Sequence, residues 1–164
     1  MSFDLVALRD AVALETRVAR VVVADLQGSG PREIGAAMLV WEYGQSGTIG
    51  GGALEFEAVE RARDALNGGR DRIDRYPLGP ALGQCCGGAV RLLTEIYDAK
   101  RLETLDAEVI ARPVIGGAEM PLAVIRLLSR ARSQGTGVAP QLVAGWMVEP
   151  VRRATRPLWI YGAG

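Results

Sequence analysis

The sequence turns on Gly47-Thr48-Ile49-Gly50-Gly51-Gly52-Ala53-Leu54-Glu55, where three consecutive glycines stand between a strand-like stretch and a helical one. Glycine loses more backbone freedom on folding than any other residue, so a run of three needs a steric reason. Two reasons are usual at the mouth of a helix: a positive φ angle, or the close approach of another group to the backbone. First-turn amides lack intrahelical partners and point outward, so such a mouth can cradle a phosphate or carboxylate. A tight corner that holds no ligand accounts for the glycines equally well.

Length and charge narrow what surrounds this loop. At 164 residues, 49% apolar and 23% charged, the chain has the size and composition of one globular domain with a full core. Its formal net charge of zero lacks the electrostatic footprint of a nucleic-acid binder. No basic and apolar leader opens the chain and no apolar run approaches bilayer length, so a soluble, cytoplasmic protein with no membrane attachment is expected. There is no histidine, which excludes a Ser-His-Asp triad, a Cys-His dyad and any His-containing zinc site within these residues. The two cysteines, Cys85 and Cys86, are adjacent, which strains a mutual disulfide and predicts two free thiols.

Taken in order, Phe3 to Glu15 predicts a short amphipathic helix with Leu5, Leu8 and Val12 on one face and Asp4 near its start. Val18 to Asp25 is a β-branched buried strand, residues 27–32 a loop, and Ala36 to Tyr43 a second strand with a turn at Gly44 to Gly47. Beyond the glycine run, Leu54, Ala58, Ala62 and Leu66 recur every four residues, Glu57 can pair with Arg61, and Asn67-Gly68-Gly69 supplies the stop. Arg72 to Leu78 and Ala89 to Tyr97 read as strands, the second with Val90, Leu92, Thr94 and Ile96 on one face. A helix is expected over Leu102 to Ile110, another over Met120 to Arg132 with Leu122, Ile125 and Leu128 sharing a face and Gly135 closing it, and a last strand over Leu142 to Val148. From Glu149 the chain turns to proline and arginine and reads as a linker, with bounds set at 150–157; Leu158 to Gly164 then forms an apolar strand running into Gly-x-Gly. The expected architecture is α/β: a mixed β-sheet flanked by helices over residues 1–149, followed by the first strand, 158–164, of an incomplete Rossmann domain.

Three loops hold the unusual chemistry: Gly28 to Arg32, Gly47 to Glu55, and Gly79 to Gly88. Each adjoins a strand, so they can gather at one sheet edge, as ligand-binding loops do. Arg32 offers a forked donor to a phosphate, Gly50, Gly51 and Gly52 offer amides, and Gln84 offers hydrogen bonds to a heterocycle. Cys85 or Cys86 presents a soft thiolate suited to a transition metal, or else a small buried hydrophobe. Glu55 suits the helix dipole, but it repels an anion unless it turns away or contacts neutral donors.

Gly28 to Met38, Gly47 to Glu55 and Leu82 to Gly88 together resemble the N-terminal domain of the xanthine dehydrogenase accessory protein family, XdhC/CoxI. Pro157 to Gly164 resembles the start of that family's C-terminal Rossmann domain, which is absent after its first strand. The resemblance implies an accessory protein, not a catalyst. Such a protein transiently binds the molybdenum cofactor (molybdopterin), supports its sulfuration beside a cysteine desulfurase, and delivers it to the molybdenum-binding subunit of apo xanthine dehydrogenase or a related hydroxylase. On this reading Arg32, Gly50, Gly51, Gly52, Glu55, Gln84, Cys85 and Cys86 hold the cofactor, with Cys85 and Cys86 nearest the metal; a homodimer is compatible with it. Two rivals stand beside it: a fragment of a nicotinamide- or flavin-dependent oxidoreductase, suggested by Gly162-Ala163-Gly164, and a docking protein that holds no cofactor.

Overall fold

The computed structural model describes residues 2–79, 87–105, 107–114, 119–134 and 137–152. Within them the α/β class holds, with four helices and two antiparallel sheets. Helix α1 (Leu5–Glu15) is capped by Asp4, whose carboxylate accepts the Ala7 amide at 3.0 Å, and it buries Leu5, Leu8 and Val12 as their spacing predicts. Strand β1 (Val18–Gln27) lies at the centre of a five-stranded sheet. Its neighbours on one side are β2 (Ala37–Trp41) and the edge strand β3 (Gly44–Gly47), and on the other β5 (Ala89–Tyr97) and the edge strand β4 (Arg72–Pro77). Helix α2 (Gly52–Gly68) leaves the β3 edge, crosses one face of the sheet and delivers the chain to β4 at the opposite edge.

Period-two alternation splits the sheet's side chains between two cores. On the α2 face, Leu54, Ala58, Ala62 and Leu66 pack on Ala19, Val21, Val23, Met38, Val90, Leu92 and Ile96. On the other face Val18, Val22, Leu93 and Tyr97 meet α1 and a three-stranded sheet made of β6 (Val109–Pro113), β8 (Trp146–Pro150) and β7 (Gln141–Val143). Helix α4 (Leu122–Gln134) covers that second sheet by setting Val124 against Trp146 and Val148. Among the described residues all strand pairs are antiparallel, and the parallel element is an isolated bridge from Phe3 to Val151. The mixed sheet therefore takes the form of two antiparallel sheets face to face.

Several local expectations are corrected. The hairpin turn falls at Glu42 and Tyr43, so Gly44 to Gly47 is strand; the Trp41 indole lies over Gly44, where a Cβ would come within 2.7 Å of its nitrogen. Only one helical turn, α3 (Ala99–Leu102), forms after β5, capped by Asp98, and the β-branched Val109 and Ile110 enter β6. Residues 142–148 are not one strand, because Ala144 and Gly145 both take positive φ and fold β7 back on β8 as a tight hairpin. On α4 the inward residue is Val124, whereas Leu122 and Ile125 face solvent. Glu149 does not begin a linker: it is fully buried in β8, and Val151 and Arg152 remain hydrogen-bonded to Glu108 and Phe3. The Gly135 stop, residues 153–157 and the strand over 158–164 lie outside the described residues.

Between the sheets sits a feature absent from the sequence reading. Arg20 (β1), Glu95 (β5), Arg112 (β6) and Glu149 (β8) form a buried quartet of two positive and two negative charges. Arg20 grips Glu149 bidentately at 2.7 and 3.0 Å, while Arg112 bonds Glu95 and reaches Glu149 with the same Nη2. The Phe3 ring lies 4.2 Å from the Arg20 guanidinium carbon and 5.1 Å from that of Arg112, closing the cluster with cation–π contacts. Burial favours neutral Glu149, but Arg20 and Arg112 outweigh it and hold the carboxyl below its ordinary range. Burial likewise disfavours charged Arg112, and the Glu95 charge, aided by Glu149, raises it well above its usual value.

Removing one partner leaves an uncompensated buried charge. Glu149→Ala is therefore expected to destabilise the fold by about 3–5 kcal/mol in urea unfolding, against less than about 1 kcal/mol for Arg152→Ala at its exposed pair with Asp4. Because the Glu149 carboxyl is depressed in the folded state, its contribution is complete above the unfolded value near ~4.3 and falls away as pH drops through the folded value. Stability measured from pH 7 downward should decline more steeply in the native chain than in Glu149→Gln.

Candidate functional site

The structure brings the glycine loops together at one edge of the larger sheet. A Cβ on Gly50 would come within 2.5 Å of the Pro31 ring and 3.5 Å of the Arg32 Cγ, so the second loop lies directly on the first. A Cβ on Gly88 would meet the Gln27 and Ser29 carbonyl oxygens at 2.5 Å, and Gly28 abuts Gly88 in turn. The third loop's C-terminal end is thus seated on the first. Leu78, at its N-terminal end, donates to the Gly88 carbonyl at 2.7 Å. Register explains the convergence: Gln27 pairs with Ala89 and Pro77 with Ala89 across the ladders, so the ends of β1, β4 and β5 coincide.

Glu55 is the electrostatic centre of the second loop. One carboxylate oxygen, Oε2, accepts the Thr48 hydroxyl at 2.6 Å, the Ile49 amide at 2.9 Å and the Gly51 amide at 3.0 Å. Partial burial opposes its charge, yet these donors prevail and hold the carboxyl below its ordinary value. The loop amides of Ile49 and Gly51 are therefore already satisfied by an internal anion, which resolves the conflict between a first-turn acid and an anion cradle. Gly50, Gly51 and Gly52 have φ of +127°, +75° and +67°, so backbone conformation alone calls for glycine there. Gly51 and Gly52 have nothing within 4 Å of a notional Cβ, and Gly51 caps α2 with no side-chain hydrogen bond. Backbone at the helix mouth consequently remains open beside a recess of about 370 Å³ walled by Gln45, Gly52, Glu55, Phe56 and Val59.

Arg32 sits beside this mouth with its side chain one-third exposed and pairs with Glu33 at 3.5 Å. Arg32, Gly50, Gly51, Gly52 and Glu55 are thus neighbours, whereas Gln84, Cys85 and Cys86 lie outside the described residues. No cluster of three or more potential metal ligands occurs among the described residues, and none of their helices is long and apolar enough to cross a membrane. The buried quartet escaped the sequence reading although its signal was present: Arg20 and Glu95 place charges within the buried stretches of β1 and β5, on the face opposite the one the alternation assigns to α2.

The part of the chain that holds these two glycine loops is similar in sequence to a known family. Residues 11–77 match the model of the XdhC and CoxI family, a span that contains α1 in part, β1 to β4 and both of those loops. A crystal structure described as a xanthine dehydrogenase from Bacillus halodurans matches with a TM-score of 0.57 and 23% identity, over 66% of this chain and 37% of that one. At that identity the likeness is one of fold, and the chain spans well under half of the neighbour's length. Among curated proteins none matches.

Two substitutions separate the roles of the glycines. Gly50→Ala adds a clash with Pro31 to a disfavoured φ and should cost about 1–3 kcal/mol more than Gly51→Ala, where the space is open, in paired unfolding experiments. Glu55→Ala strips the Ile49 and Gly51 amides of their acceptor, and hydrogen exchange at those two amides should accelerate at least about tenfold while the β5 amides are unchanged.

Proposed function

We propose that this chain is the cofactor-handling portion of an accessory protein that matures xanthine dehydrogenase or a related molybdenum hydroxylase. In this role it binds the molybdenum cofactor, shelters it during sulfuration by a cysteine desulfurase, and passes it to the apoenzyme; it does not itself oxidise substrate. The family match over residues 11–77 supports the accessory role. The observation that supports the cofactor reading is the stacking of Gly50 on Pro31 and Arg32 and of Gly88 on Gln27 and Ser29, which seats the glycine loop and the C-terminal flank of the cysteine-bearing loop on the same first loop.

The residues present fit such a group. Open backbone at Gly51 and Gly52 and the Arg32 guanidinium suit a terminal phosphate. Gln84 supplies amide donors and acceptors for a pterin edge, and Cys85 or Cys86 supplies a thiolate toward molybdenum. Glu55 acts indirectly, by fixing the loop through Thr48, Ile49 and Gly51. When bound, the cofactor supplies the molybdenum centre that the recipient enzyme needs; this chain supplies binding and shelter. The satisfied amides of Ile49 and Gly51 favour a second reading, in which the glycine loop is a structural corner and the chain docks on the enzyme without holding cofactor.

Anaerobic gel filtration of the natural protein with molybdenum cofactor, followed by assay of molybdenum and pterin in the protein peak, distinguishes the two. Stoichiometric retention is expected, with at least a tenfold loss in a Cys85→Ala/Cys86→Ala double variant and a smaller loss in Arg32→Ala. No retention by the natural protein would establish the docking reading instead.

A further inference from the structure

Helix α4 carries features that its own packing leaves unused. Its inward side is settled by Val124, fully buried, with Leu127 and Leu128 half-buried against the smaller sheet. Outward, Leu122 is 59% and Ile125 45% exposed, and Arg126, Ser129 and Arg130 are exposed as well. With 3.6 residues per turn these five positions share one side of the helix. Residues 120–134 include Arg126, Arg130 and Arg132 and no Asp or Glu, although acids and bases are equal in number along the chain, 19 of each. Arg126 and Arg130 stand one turn apart as like charges, a disfavoured spacing, and among the described residues neither is paired with a carboxylate.

Exposed apolar residues and unneutralised like charges are both unfavourable on a free surface, and here they coincide. We propose that the outer face of α4 docks an acidic amphipathic segment of a partner protein. Apolar side chains of that segment cover Leu122 and Ile125, and its carboxylates pair with Arg126 and Arg130, each able to grip one bidentately. A second copy using the same helix would set arginine against arginine. A membrane surface would need a longer apolar stripe than two residues in one turn. The proposal stands on α4 alone and does not depend on cofactor binding.

The test places the photoreactive residue benzoylphenylalanine at Ser129 of the natural protein in its own cells, followed by mass spectrometry of the cross-linked peptide. The expected adduct is with a different protein, through a peptide holding at least two Asp or Glu beside apolar residues. Its yield should fall at least tenfold in Arg126→Glu/Arg130→Glu and in Leu122→Ser/Ile125→Ser, both with unchanged thermal unfolding, and should recover when the partner's acidic residues are exchanged for arginine against Arg126→Glu/Arg130→Glu. An adduct with a second copy or with lipid, no adduct, or an adduct insensitive to charge reversal would each overturn it.

Discussion

Four charges enclosed between two sheets set the geometry of this molecule. Arg20 and Glu95 come from neighbouring strands of the larger sheet and Arg112 and Glu149 from neighbouring strands of the smaller one, so the Arg20–Glu149 and Arg112–Glu95 pairs tie one layer to the other, while Arg20–Glu95 and Arg112–Glu149 join strands within a layer. Ion pairs of this kind seldom add net stability over a well-packed apolar core, because the desolvation of each charge offsets much of the attraction. They are exacting, however. Any slip of β1 against β5 or of β6 against β8 would leave a buried charge without its counter-ion, so the quartet specifies register where apolar contacts alone tolerate alternatives.

That register is what aligns the glycine loops. Gln27 and Pro77 both pair with Ala89, which sets the ends of β1, β4 and β5 level and brings Gly28 against Gly88. On the same edge Gly50 fits under Pro31 because it has no side chain. The glycines thus play two physical roles within a few residues. Gly50 and Gly88 permit backbone contact between loops, while Gly51 and Gly52 adopt positive φ beside open space. The first kind builds the site and the second leaves it accessible.

Glu55 shows how a local electrostatic conflict is resolved by a short-range fold. A carboxylate in the first helical turn would repel an incoming anion, yet here it turns back and takes the Thr48 hydroxyl and two amides. The result is a stiffened loop whose remaining openness lies toward the helix mouth rather than in the amides behind it. Recognition of a phosphate there would fall to the mouth and to Arg32 together.

The sequence by itself determined the elements whose signal is local: Leu5, Leu8 and Val12 on α1, the four-residue rhythm of α2 and its glycine stop, and the bounds of β5. Short-range periodicity suffices for these because each side chain's partner face is set by its own helix or strand. Only the tertiary structure decided the rest. Val109 and Ile110 became strand because β8 was there to pair with them, and Ala144-Gly145 made a hairpin that a weak turn dipeptide scarcely announces. On α4 the inward residue was Val124 rather than Leu122 and Ile125, since the position of Trp146 and Val148 selects which apolar stripe is covered. Arg20, Glu95, Arg112 and Glu149 lie 17 or more residues apart along each hydrogen-bonded link, and no window of sequence can pair charges that meet only after the two sheets have packed.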